Sequence, residues 1–221
     1  SVGSISKIKK ICKLIEKEYR RNNQVIAVSS AMSGDTNKLI QLAENFEVSS
    51  HKYEYDMIVS TGEQISIALI SMALNEMKIP AKPLLGWQIP ILCSHEPNKA
   101  KIMKINTNTL KKLLKNKVVP VIAGFQGIDS NDNIVTLGRG GSDTSAVAIA
   151  ASISADRCDI YTDVNGVYTC DPRLVPKAKK INKISYEEML EFASLGAKVL
   201  QTRSVEMAMR HNVLVQVLSN N

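Results

Sequence analysis

The stretch TLGRGGSDTSAVAIAA runs from Thr136 to Ala151. Gly138, Arg139, Gly140 and Gly141 open it, then Ser142, Asp143 and Thr144, then an almost wholly apolar run. That run, with Ala146, Val147, Ile149, Ala150 and Ile153, predicts a buried helix starting near residues 142–144. A helix start offers free backbone N–H groups and the positive end of a dipole. Glycines ahead of it let the backbone approach a ligand with no Cβ in the way. The combination suits an anion, and Arg139 adds a planar fork for a carboxylate or phosphate. A plainer reading stays open: a glycine turn capped by Ser142 or Asp143, with Arg139 in solvent.

Outward from this stretch, apolar runs alternate with helical patterns. Ile5, Ile8, Ile11, Ile15 and Tyr19 recur at helical spacing and predict a first helix. QVIAVSSAM reads as a buried strand feeding a loop, and YDMIVST as a second strand. GEQISIALISMALNEM follows as a helix, with Thr61 and Gln64 as its expected capping box. ILCS and KIMKI are short strands, NTLKKLLKN a helix, and VVPVIAGFQGI one strand turning through DSNDN into IVTLG. Beyond the opening helix, CDIYTDV is a strand and NGVYTCDPR a turn-rich loop. Ser185 and Glu188 make a Ser-x-x-Glu start for YEEMLEFASLGAKVL. A last helix covers residues 204–210, and VLVQVL closes as a strand. Helices between buried strands predict an α/β fold, a three-layer αβα sandwich with a largely parallel central sheet. Ligands in such sheets bind beyond the carboxyl ends of strands, which selects four loops: 29–36, 61–63, 138–143 and 162–173.

Composition narrows the function. The chain has 221 residues, 44% of them hydrophobic, and a formal net charge of +7. No stretch reaches the roughly 18 uninterrupted apolar residues of a membrane span. SVGSISKIKK has no apolar core of a signal peptide. Cys12, Cys93, Cys158 and Cys170 are scattered without a CxxC pair and read as reduced cytoplasmic thiols. His51, His95 and His211 are isolated, so no histidine-built metal site is expected. The lysine clusters read as solvated helix faces, with an anionic partner as the alternative. Aromatics are not interleaved with them, which disfavours single-stranded nucleic acid. GxxxxGK[ST], GxGxxG ahead of a helix, HRD, DFG and G-x-S-x-G are all absent, which disfavours P-loop NTPases, protein kinases and α/β-hydrolases.

The strings VSSAMSGDTNKL, STGEQIS, VPVIAGFQG, TLGRGGSDTSA, YTDVNGVYTCDPR and SLGAKVLQTRSVEMA occur in that order over nearly the whole chain. Together they resemble the catalytic domain of the aspartokinases, within the amino acid kinase family. The resemblance implies transfer of the ATP γ-phosphoryl group to the β-carboxylate of L-aspartate, the first step towards lysine or diaminopimelate, methionine and threonine. Aspartate's side chain, with a pKa of about 3.9, is already an anionic nucleophile at neutral pH. The reaction then needs in-line positioning and charge neutralisation rather than a general base.

By that resemblance Arg139 grips the substrate α-carboxylate and Glu63 its ammonium group. Ser30, Thr36 and Ser142 complete the substrate end, and Asp143 organises the catalytic lysines. Thr162, Asp163 and Tyr168 hold adenosine with Asp171 alongside, and Arg173 and Lys198 reach the phosphates. Mg²⁺ comes held mainly by ATP phosphates and water. Plainer readings stand beside these: Glu63 as a first-turn acid, Asp163 and Asp171 as turn formers, Tyr168 as core, Arg173 and Lys198 as solvated, Ser30 and Thr36 as backbone caps.

Family members begin with a strand and a Lys-Phe-Gly-Gly-Thr-Ser-Val stretch, and this sequence opens at the tail of it. The expectation is a catalytic domain over residues 1–221, without that strand and without ACT-type regulatory domains, cytoplasmic and compatible with a homodimer. The alternatives are a catalytically impaired nucleotide-binding remnant, or a related kinase acting on acetylglutamate, glutamate or uridylate.

Overall fold

The computed structural model describes residues 4–162, 164, 166–170, 175, 177–194 and 199–219. The chain divides into two compact units, Ser1–Ser145 and Ala146–Asn221. The first holds α1 (Ile5–Arg20), β1 (Ala27–Ser29), α2 (Asp35–Ala43), α3 (Lys52–Val59), α4 (Thr61–Glu76), β2 (Ala81–Leu84), β3 (Ile91–Cys93), β4 (Ile102–Ile105), α5 (Asn108–Lys115), β5 (Val119–Ala123), β6 (Gln126–Ile128) and β7 (Ile134–Thr136). Helix α6 (Gly141–Ile153) starts in it and runs on into the second. The second unit continues with β8 (Cys158–Thr162), β9 (Val167–Tyr168), β10 (Lys180–Ile181), α7 (Tyr186–Ser194), α8 (Thr202–His211) and β11 (Val215–Ser219).

In the first unit β1, β5 and β2 form a parallel sheet in that order. β5 is buried along its whole length, as a central parallel strand requires. Val119, Val121 and Ala123 alternate onto a core with Ile8, Cys12 and Ile15 of α1 and Ile67, Ile70 and Leu74 of α4. α1 starts at Ser4, whose hydroxyl accepts from the Lys7 N–H at 3.3 Å. A second, mixed sheet runs β4-β3-β6-β7.

In the second unit β8 and β11 pair in parallel, and β9 and β10 antiparallel. Val147, Cys158, Ile160, Met189, Val205 and Ala208 belong to its core. The capping box forms as expected: Glu188 N–H donates to Ser185 Oγ at 3.2 Å, and Ser185 N–H to Glu188 Oε2 at 2.9 Å. The α/β architecture with parallel sheets is therefore the one the alternation predicts.

Four local expectations are corrected. YDMIVST is not a strand but α3 and the start of α4. A short apolar run does not separate the two by period, and helical spacing buries Asp56, Val59, Ser60 and Glu63 together. The Thr61–Gln64 capping box does not form. Ser60 is itself helical and α3 leads straight into α4, so the Thr61 hydroxyl donates to Ile58 O at 2.7 Å instead. Residues 61–63 are accordingly a helix turn, not a strand-end loop. VVPVIAGFQGI breaks into β5 and β6 at Gly124 and Phe125, the latter left-handed at φ 67°. Four elements escaped the sequence reading: α2, the paired β9 and β10, and β2, whose Pro83 is tolerated because the strand lies at an edge.

Residues 52–76 are, among the described residues, long and apolar enough by composition to cross a membrane. Half of its most apolar 18-residue window is buried inside the protein, and the stretch carries the buried acids Asp56 and Glu63. It is a core helix pair.

Candidate active site

Strand β1 ends at Ser29, whose carbonyl accepts from the Gly124 N–H at 3.0 Å. Beyond it the chain turns against the first turn of α4. A Cβ on Gly62 would lie 2.7 Å from Ala31 Cβ, so only glycine permits this approach. The approach lets the Ala31 N–H donate to Glu63 Oε1 at 2.9 Å. The second oxygen, Oε2, is buried and has no partner among the described residues. Glu63 is 3% exposed. Burial pushes its carboxyl up to about 7, against the opposing pull of the Ala31 N–H. Thr36 sits in the first turn of α2 and is half-buried. Leu39, one turn on, packs towards the same Gly62.

The glycine turn follows β7. Gly138 and Gly140 take positive φ, 71° and 70°. The Gly141 N–H closes the turn on Gly138 O at 3.0 Å, and α6 starts there. Gly124 passes so close to Ser142 that a Cβ would meet its Cα at 3.0 Å, and the Ser145 hydroxyl accepts from the Phe125 N–H at 3.1 Å. The start of α6 is thereby fixed at the carboxyl end of β5, where Ser29 also lies. Ser30, Glu63 and Ser142 are thus brought to one end of one sheet. Arg139 is exposed in the turn, and Asp143 is half-buried with its carboxyl raised by burial.

On the nucleotide side the structure describes two of the six expected residues. Thr162 closes β8, and Tyr168 lies in β9 opposite Lys180; both are half-buried. A Cβ on Gly166, at φ 123°, would meet Lys180 Cε at 2.7 Å. Asp163, Asp171, Arg173 and Lys198 lie outside the described residues. Among the described residues no three His, Cys, Asp or Glu side chains come together as a metal cage.

Two buried polar residues of the first unit were missed. Asp56, fully buried, accepts from Asn98 N–H and from both the N–H and the hydroxyl of Thr136. Gln126, 1% exposed, donates to Ser60 O at 3.0 Å. The signal for each was a polar residue inside an apolar run, YDMIVS and IAGFQGI.

The model of the amino acid kinase family matches residues 1–219, and the chain belongs to that family. Within it the similarity is to aspartokinases. An aspartate kinase of Pseudomonas putida is 51% identical over 218 residues, covering 99% of this chain and 53% of the relative. The crystal structure of aspartate kinase from Synechocystis superposes with a TM-score of 0.86 at 44% identity, over all of this chain and 36% of that one. Escherichia coli aspartokinase III in complex with aspartate and ADP gives 0.89 at 26% identity, over all of this chain and 60% of that one. The chain spans about half the length of the curated relatives it matches.

Proposed function

We propose that this chain is the kinase region of an aspartate kinase. It transfers the γ-phosphoryl group of ATP to the β-carboxylate of L-aspartate, at the head of lysine or diaminopimelate, methionine and threonine biosynthesis. The observation that carries the reading is the buried Oε2 of Glu63, without a partner among the described residues, at the sheet end that also holds the Arg139 turn. An orphaned buried carboxylate oxygen calls for a cation, and the substrate ammonium supplies one. Relatives about half identical over nearly the whole chain are aspartokinases, which disfavours another acceptor.

Glu63 and Arg139 hold the α-ammonium and α-carboxylate, with Ser30, Thr36 and Ser142 as hydrogen-bonding neighbours. The β-carboxylate is left to attack. Its oxygen bonds to the γ-phosphorus, the bond from phosphorus to the bridging oxygen breaks, and ADP leaves. No proton moves from the nucleophile. Asp143 is the acid that organises the catalytic lysines. Thr162, Asp163, Tyr168 and Asp171 take adenosine, with Arg173 and Lys198 at the phosphates. Mg²⁺ would supply charge neutralisation there, held mainly by the ATP phosphates. The four free cysteines suit a reducing cytoplasm.

The test is coupled ADP release with Mg-ATP and aspartate, acetylglutamate, glutamate or uridylate. The 221-residue chain is compared with one extended ahead of Ser1 by a strand ending in Lys-Phe-Gly-Gly-Thr. Turnover with aspartate alone, at least about 10² faster in the extended chain, is expected. Preference for another acceptor contradicts the reading. Arg139→Ala in the active form should cost about 2–5 kcal/mol in kcat/KM for aspartate with ATP affinity kept. Equal loss of both ligands makes Arg139 structural.

A further inference from the structure

A buried polar network outside the substrate contacts ties together the two segments that carry them. Gln126 of β6 and Thr136 of β7 are directly opposed across the antiparallel pair. The last turn of α3 docks on this one rung through two polar bridges. Asp56 Oδ1 accepts from the Thr136 hydroxyl at 2.9 Å, and Oδ2 from the Thr136 N–H at 2.6 Å. Ser60 O accepts from Gln126 Nε2 at 3.0 Å. Asp56 and Ser60 are one helical turn apart, joined by the Ser60 N–H to Asp56 O bond of 3.1 Å. All four residues are at most 1% exposed. Asn98 N–H gives Asp56 a third donor at 2.8 Å.

The placement matters because each segment leads from the rung into a substrate contact. Ser60 runs directly into α4, where Glu63 stands three residues on. Thr136 runs directly into the glycine turn, where Arg139 stands three residues on. Well-packed apolar side chains at the rung would hold the two elements together at no desolvation cost. Directional polar bonds fix their separation as well as their contact. We propose that this rung gauges the amino-acid site: Asp56 and Gln126 are positioning residues that set the span between Glu63 and Arg139. The site is thereby selective for an acceptor carrying an ammonium and a carboxylate on one carbon. The inference rests on the substrate roles proposed above for Glu63 and Arg139.

The experiment titrates L-aspartate, and succinate as its analogue without the ammonium, into the 221-residue chain, and records thermal melts beside each titration. Gln126→Met keeps the volume and removes the bond to Ser60 O. It should raise the aspartate Kd at least about tenfold, given the sensitivity of bound geometry to small misplacements, and leave the succinate Kd unchanged. Asp56→Asn keeps an acceptor for the two N–H groups and re-pairs the Thr136 hydroxyl, so its aspartate Kd should stay within about twofold of wild type. Asp56→Leu should lose aspartate selectivity, and if it fails to fold, the Gln126→Met and Asp56→Asn pair still decides. A lower melting temperature with an unchanged aspartate-to-succinate ratio in Gln126→Met overturns the gauge while leaving the substrate reading intact. A wild-type chain that does not prefer aspartate to succinate removes the Glu63 reading and takes the gauge with it.

Discussion

Two carboxylates lie seven residues apart on the continuous α3–α4 segment, and both are buried. Asp56 is fully enclosed and accepts three hydrogen bonds. Glu63 is 3% exposed and accepts one from a neighbouring segment, with its other oxygen unpartnered among the described residues. Burial raises both carboxyls, Glu63 to about 7. The same physical cost has been met in one case by fixed donors and left open in the other. A satisfied buried acid holds structure; an unsatisfied one is suited to receiving a cation.

The largest effect that would break this contrast is on stability. Asp56→Ala leaves the Thr136 and Asn98 donors without their acceptor. At about 1–3 kcal/mol for an unsatisfied buried group, it should lower unfolding free energy by about 3 kcal/mol or more in a urea melt. A loss within about 0.5 kcal/mol would place Asp56 with ordinary surface acids.

Glu63→Gln should move the other way, with a definite pH dependence. A carboxyl whose pKa is raised in the folded state binds its proton there more tightly than in the unfolded chain. Stability of the wild type is therefore full below the unfolded value, about 4.3, and falls as pH rises towards about 7. Gln carries no charge and escapes that decline. The variant should match the wild type near pH 4 and exceed it by about 3–4 kcal/mol at pH 8. Parallel stability curves across that range would show that Glu63 is not held protonated.

The smallest effect belongs in the second unit. Ser185→Ala removes one half of a satisfied capping box and should cost about 1 kcal/mol with aspartate affinity unchanged. A change in aspartate affinity would show that the amino-acid half is not confined to the first unit.

The glycine turn, its helix, the capping box at Ser185 and the alternation of strands and helices were legible in the sequence. Each is written in local chemistry: Gly138 and Gly140 at positive φ, Ser185 with Glu188, Ile8 with Ile11, Ile15 and Tyr19, although Ile5 of the same stripe is exposed. The α3 helix was not legible. Tyr55 to Val59 is too short for its period to decide, and the reason it is helical lies in Thr136 and Asn98, far along the chain. Gln126 likewise gains meaning only from Ser60 O. The substrate roles of Glu63 and Arg139 came from resemblance. The structure adds what resemblance lacks, the burial of Glu63 and an oxygen of it without a partner among the described residues.

Pairing of the substrate ammonium with Glu63 is read most directly by calorimetric titration of L-aspartate at pH 6 and pH 8, each in two buffers of different ionisation enthalpy. An ammonium that pairs with Glu63 must first displace its proton. About one proton should be released per aspartate at pH 6 and much less at pH 8. Affinity should rise between them by up to about tenfold per unit below the Glu63 pKa, and Glu63→Gln should abolish the proton release and weaken binding. Affinity independent of pH with no proton released, or a Glu63→Gln chain that binds aspartate as tightly as wild type, would contradict it.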